Sequence, residues 1–279
     1  MSTWQTLREW PVLRLERIEG AGVARIVLNR PEKRNALTLE IVNAFFESLE
    51  LIRADKDLKA VITKGEGGCF SAGLDLHYLR SRSIGRQADW DRPTETIQLT
   101  QALRDFPRIT IAQVQGYCLG GSLGLMNVHD LVIAADNAQI GMPEIPRGSF
   151  GQIATSTLFH AGIPLKKAAF MALTAKNMSG TEADRLGLVS MAVPENELEA
   201  QTLRIAREIA SRHLAPLQHH KIAVQLGRDL PLATAIRIDQ LVGARQAAAI
   251  DPTAHVGDYL KSQKGGPDFG ADGYRRPDA

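Results

Sequence analysis

Long apolar runs are missing from this 279-residue chain, and so is any marked excess of charge of one sign. A membrane-spanning helix needs about 20 consecutive apolar residues, and no stretch approaches that length. The formal charge is only +2, with the positive residues dispersed, so nothing points to nucleic acid or an anionic membrane as partner. Cysteine is scarce. Cys69 and Cys118 stand far apart without a CxxC partner, which excludes a disulfide framework and a paired-cysteine zinc motif. No HExxH spacing occurs, and the adjacent His219 and His220 would face different directions on a helix, so no metal centre is expected. Met1 to Trp10 lacks the apolar centre of a secretory signal. The expectation is a soluble cytoplasmic protein, although a matrix enzyme with its leader removed would carry the same features. Repeats and low-complexity blocks are also absent.

What is present suits a globular α/β protein: 44% of the residues are apolar, enough at this length for one large domain with a full core. Val12 to Arg17 and Val23 to Leu28, around Gly20 and Gly22, read as a hairpin. From Thr38, an N-cap residue, Ile41, Val42, Phe45, Phe46, Leu49 and Ile52 recur at helical spacing. Short strands are predicted over Ala60 to Thr63, Ile109 to Val114, Leu131 to Ala134 and Gln139 to Met142, with a helix after Gly121; this alternation favours parallel strands. Beyond Ser190 to Val193 the pattern is helical: Glu195 to Ser211, Pro216 to Leu226, Leu232 to Ile250 and Thr253 to Ser262. A core over residues 1–195 and a helical region over 196–279 follow, with a glycine-rich, irregular tail from Lys264.

Three segments lie in loops after strands, where open α/β sheets present functional groups: Cys69 to Leu76, Gly116 to Ser122, and Gly141 to Glu144. Adjacent glycines at the start of a helix leave amide N–H groups uncovered at its positive end, an outline of an anion or oxyanion site. Glycines also close such turns for purely structural reasons. Glu144 has no charged neighbour before Arg147, and is either a solvated loop residue or a half-buried acid–base group with a raised pKa.

Arg30-Pro31-Glu32-Lys33-Arg34-Asn35-Ala36-Leu37, Phe70-Ser71-Ala72-Gly73-Leu74-Asp75-Leu76, Gly116-Tyr117-Cys118-Leu119-Gly120-Gly121 and Pro143-Glu144, in this order and spacing, resemble the crotonase (enoyl-CoA hydratase/isomerase) family. Ala168 to Lys176, Ala183 to Val189 and Val193-Pro194 extend the likeness over Leu13 to Phe269. The resemblance implies a crotonase-like (ClpP/crotonase) spiral of ββα units, with C-terminal helices joining homotrimers or dimers of trimers. It implies an acyl-CoA thioester as partner, with no cofactor beyond the substrate's own coenzyme A. By the same likeness, the amides of Ala72 and Gly121 form an oxyanion hole and Glu144 moves the proton. Lys33 or Arg34 would meet the coenzyme A phosphates, and backbone around Ala36, Leu37, Asp75 and Leu76 the adenine and pantetheine. Gly120 and Pro143 would be among the substrate-binding residues, while Tyr259 and Lys261 or Lys264 would complete the nucleotide site. The segment Ser81 to Pro93, with Trp90, lies where the family varies its substrate loop.

One departure bears on the reaction. Enoyl-CoA hydratases of this family carry two glutamates, and the place of the first is taken here by Gly124; no carboxylate recurs before Asp130. A single glutamate suits a double-bond shift, hydration of an activated substrate, or carbon–carbon cleavage, as in Δ3,Δ2-enoyl-CoA isomerases, hydroxycinnamoyl-CoA hydratase-lyases and ring-opening hydrolases. Two rivals come from other classes. Gly120-Gly121-Ser122-Leu123-Gly124 matches the GxSxG elbow of serine hydrolases, with His160, His213 or His255 as base and Asp136 or Asp184 behind it. A non-catalytic acyl-CoA-binding or RNA-binding relative would need no Glu144.

Overall fold

The computed structural model describes residues 3–83, 94–227 and 230–249. In chain order its regular elements are β1 (Gln5–Trp10), β2 (Leu13–Ile18), β3 (Val23–Leu28), α1 (Leu39–Ala54), β4 (Ala60–Gly65), α2 (Leu76–Ser83), α3 (Glu95–Arg104), β5 (Ile109–Val114), β6 (Tyr117–Leu119), α4 (Gly121–Asn127), β7 (Leu131–Ala135), β8 (Gln139–Gly141), α5 (Gln152–His160), α6 (Leu165–Thr174), β9 (Met178–Ser179), α7 (Gly180–Leu186), β10 (Met191–Val193), α8 (Leu198–Ala210), α9 (Leu214–Gly227) and α10 (Leu232–Ala249). Contacts divide the chain into Met1–Arg212 and His213–Ala279.

In the first unit a seven-stranded sheet has the order β1-β2-β3-β4-β5-β7-β10. The β1/β2 and β2/β3 pairs are antiparallel, and the remaining four are parallel. The side-chain period of two sends neighbours to opposite faces. Ala60 and Ile62 enter one apolar cluster with Ile111, Leu158 and Ala206, while Val61 enters the other with Ile41, Phe45 and Leu103. Thr38 caps α1 as expected, its hydroxyl accepting the Ile41 N–H at 3.3 Å. The face of α1 buries Ile41, Val42, Phe45, Leu49 and Ile52, with Phe46 partly buried beside them.

A second, three-stranded sheet, β6-β8-β9, pairs β6 with β8 in parallel and β8 with β9 antiparallel. Its strands are too short to show periodicity. Of these β8 was expected, over Gln139 to Met142; β6 and β9 were unmarked in the sequence pattern, as were β1, whose side chains are mostly exposed, and helices α2, α3, α5, α6 and α7.

The break expected at residue 195 falls inside the first unit. Helix α8 lays Leu198, Ala206 and Ala210 on the main sheet, so the compact unit runs on to Arg212. In the second unit α9 and α10 pack together, and His219 Nδ1 lies 3.2 Å from Gln246 Oε1. Among the described residues no helix is long and apolar enough to cross a membrane.

Candidate active site

Adjacent parallel strands deliver their following residues to neighbouring places, and β6 and β8 do this for two of the three candidate segments. Tyr117, Cys118 and Leu119 pair with Gln139, Ile140 and Gly141, and the Gly120 N–H donates to the Gly141 carbonyl at 2.9 Å. Gly120-Gly121 therefore lies beside Met142-Pro143-Glu144. Gly120 sits at φ +55°, which glycine adopts without strain. A β-carbon there would also lie 2.6 Å from Glu144 Oε1, so glycine is what lets the carboxylate lie against the paired-glycine turn.

The third segment is laid alongside by single bridges. Ser71 bridges Cys118, its N–H donating to the Tyr117 carbonyl at 2.9 Å. Main-chain N–H groups alternate in direction along extended chain, so the Ala72 N–H points the other way and donates to the Arg34 carbonyl at 2.9 Å. Ala72, expected to supply an oxyanion donor, is thus committed internally. The free amide lies two residues on. Leu74 bridges Leu37, and that bridge uses the Gly73 carbonyl and the Asp75 N–H. The Leu74 N–H is left facing away, without a partner among the described residues.

Gly121 opens α4, and the first amides of a helix have no partner inside it; its N–H too lacks one among the described residues. The two amides are neighbours: a β-carbon on Gly121 would lie 3.7 Å from the Leu74 nitrogen, and one on Gly73 3.4 Å from the Gly121 nitrogen.

Glu144 is half-buried, and its Oε2 has no hydrogen-bond partner among the described residues. Burial raises its pKa above the ordinary glutamate value; its own N–H and the Arg147 charge only partly offset that. A carboxyl in such a setting can serve as a general acid or base.

The surrounding loops are held by residues that the motifs contain but whose positioning role only contacts reveal. Asn35 is fully buried. Its Oδ1 accepts from the Arg30 N–H at 2.9 Å, and its Nδ2 donates to the carbonyls of Glu66 and Cys69 at 2.9 and 2.7 Å. The Asp75 carboxylate accepts from the His77 and Tyr78 N–H groups at the start of α2 and from Arg30 at 3.2 Å. Burial alone would raise the Asp75 pKa, but these bonds outweigh it and hold the group below its usual range. Asp75 is a positioning residue here.

Among the residues expected to bind coenzyme A, Lys33 and Arg34 are exposed, and the Arg34 guanidinium lies over the Tyr117 ring at 5.4 Å. Leu76 is exposed and Pro143 half-buried. The Ala36 carbonyl receives Arg30 at 2.8 Å. The Leu37 side chain is buried, its N–H goes to Gly73 and its carbonyl takes the Asp75 N–H, so its main chain holds the Leu74 loop in place. Trp90, His255, Tyr259, Lys261, Lys264, the predicted helix Thr253 to Ser262 and all but the start of the Ser81 to Pro93 segment lie outside the described residues.

The GxSxG reading fails on the role of its serine. Ser122 is fully buried. Its hydroxyl accepts the Leu119 N–H at 2.8 Å and lies 2.8 and 2.9 Å from the carbonyls of Ser71 and Leu119. It ties two loops together and has no histidine beside it among the described hydrogen bonds. His160 bonds instead to the Ser156 carbonyl at 2.9 Å.

Residues 18–251 match the model of a family described as enoyl-CoA hydratase/isomerase. A probable mitochondrial enoyl-CoA hydratase of Dictyostelium discoideum is 32% identical over 219 residues, 78% of this chain and 77% of that protein. The hydroxycinnamoyl-CoA hydratase-lyase of Pseudomonas fluorescens is 30% identical over 233 residues, 82% of this chain and 83% of that protein. Among solved structures, human enoyl-coenzyme A hydratase domain-containing protein 3 superposes with a TM-score of 0.83 at 28% identity, covering 90% of this chain and 98% of that one.

Proposed function

Because the chain belongs to the enoyl-CoA hydratase/isomerase family, we propose that it is an enzyme that seats an acyl-CoA carbonyl oxygen between the Leu74 and Gly121 amides. Glu144 then exchanges a proton with the acyl chain. The observation that carries this reading is the meeting of two partnerless main-chain donors with a half-buried carboxyl whose pKa burial raises. Preorganised amides stabilise an enolate oxygen without reorganising, and one such donor is worth about 10²–10³ in rate. Lys33 and Arg34, exposed on the loop whose Arg34 carbonyl holds Ala72, are proposed to meet the coenzyme A phosphates.

A second reading, carbon–carbon cleavage of a β-hydroxyacyl thioester, is favoured by the likeness to the Pseudomonas fluorescens hydratase-lyase and by Gly124 standing where a second glutamate is expected. Both readings pass through the same enolate. The C-terminal helices are proposed to join subunits into trimers or pairs of trimers.

The test is α-proton exchange of acyl-CoA thioesters in heavy water, followed by mass, with the parent and Glu144→Gln. Loss of about 10²–10⁴ in exchange rate is expected for the variant; equal rates would overturn the assignment and favour a binding protein. A panel of enoyl-, β-hydroxyacyl- and β-ketoacyl-CoA substrates then separates reaction classes: hydration adds a water, a double-bond shift changes no mass, and cleavage divides the chain.

A further inference from the structure

Gly124 stands on α4 three residues after Gly121 and is buried. A side chain there would lean toward the helix N-terminus, over the turn that presents the Gly121 amide. The space is taken: a β-carbon on residue 124 would lie 2.8 Å from Ile153 Cγ2 and 3.3 Å from the Ala154 nitrogen. Ile153 is in the first turn of α5 and only partly buried. Two residues earlier, a β-carbon on Gly151 would lie 2.9 Å from Glu144 Cδ. The same helix end therefore touches Glu144 with one residue and closes off position 124 with another. A β-branched side chain on a helix is held in essentially one χ1 rotamer, so this methyl group cannot swing aside without moving α5.

We infer that Ile153 is a specificity-determining residue that sets the reaction class, by filling the space from which a second acid–base group would serve the acyl chain. The inference rests on the enolate chemistry proposed for this site. Hydrating a 2-enoyl thioester joins the water oxygen to Cβ, gives up a water proton to a base and delivers a proton to Cα. Two carboxyl groups divide that work. A double-bond shift needs one, because the proton that Glu144 takes from Cα is returned to Cγ. An apolar methyl group in the place of the second acid leaves Glu144 to act alone.

The experiment compares parent, Gly124→Glu and Gly124→Glu/Ile153→Ala for Tm, for addition of water to crotonyl-CoA by mass, and for α-proton exchange of butyryl-CoA in heavy water. Gly124→Glu alone is expected to lower Tm by about 3–10 °C through overpacking and to gain no hydration. The double variant is expected to recover Tm and to hydrate crotonyl-CoA at least about 100-fold faster than the parent, the scale of one acid–base group. The inference is overturned if Gly124→Glu keeps the parental Tm, or if the double variant recovers Tm and exchanges the α-proton yet hydrates no faster. Absence of α-proton exchange in the parent would instead sink the underlying reading.

Discussion

In the seven-stranded sheet, β5 buries all six of its residues, and the pairing of β3 with β4 holds register over six residues. In the three-stranded sheet, β6 pairs over three residues and β9 over two, and single bridges at Leu37–Leu74 and Ser71–Cys118 attach the loops. The first is held chiefly by apolar burial on both faces. The second spends its few hydrogen bonds on setting which amides are consumed and which are left over. On the proposed function, stability and chemistry fall largely to different parts of one fold, and substitutions should separate them.

The sharpest comparison is between two amides of one loop. Replacing the Leu74 amide by an ester, which removes only its N–H, is expected to cost about 10²–10³ in turnover with little change in Tm. The same replacement at Ala72 removes the bond to Arg34 and is expected to cost about 1 kcal/mol of stability with turnover largely kept. The reverse pattern, read by steady-state kinetics and thermal melts, would return the oxyanion role to Ala72. In the main sheet, Ile111→Ala is expected to destabilise by about 2–5 kcal/mol in denaturant titration, from lost burial plus a cavity, while kcat per folded molecule is retained.

Ser122→Ala tests the boundary between the two regions. It leaves a buried loop junction unsatisfied and is expected to cost about 1–3 kcal/mol, with acyl-CoA turnover persisting; abolished turnover in a folded protein would revive the serine-hydrolase reading. The smallest effect concerns pH. Burial raises the Glu144 pKa above its unfolded value, so the folded state holds its proton more tightly. That preference stabilises the fold below the ordinary glutamate range and is lost as pH climbs through the raised value. Glu144→Gln cannot ionise. Its Tm advantage over the parent is expected to be smallest near pH 4 and to grow toward neutrality, on the order of 2 °C; an advantage independent of pH would mean that Glu144 is not destabilised by burial.

The parts of the fold that repeat were legible. Thr38 and the apolar face from Ile41 to Ile52 placed α1, and the β-branched run Ile109 to Val114 gave β5. Helices α5 and α6 were not, because their exposed apolar residues, among them Phe159, Leu165, Phe170 and Leu173, blur the stripe that marks a buried face. Within the candidate site, Glu144 and Gly121 were named from their motifs, and the pairing of β6 with β8 sets their segments side by side. Ala72 was a plausible donor only until its hydrogen bond was seen, because a motif names the loop but not the direction in which each amide faces.

The amino-acid order by itself determined the alternation of strands and helices, the paired glycines opening α4 and the carboxylate after Pro143, since each depends on side-chain chemistry or local backbone freedom. Only the tertiary structure decided that Leu74 rather than Ala72 keeps its N–H free, that Ser122 is a tie between loops, and that Ile153 fills the space beside Gly124. Those outcomes depend on bonds and contacts between segments distant in sequence. No local pattern encodes where a neighbouring segment will stand.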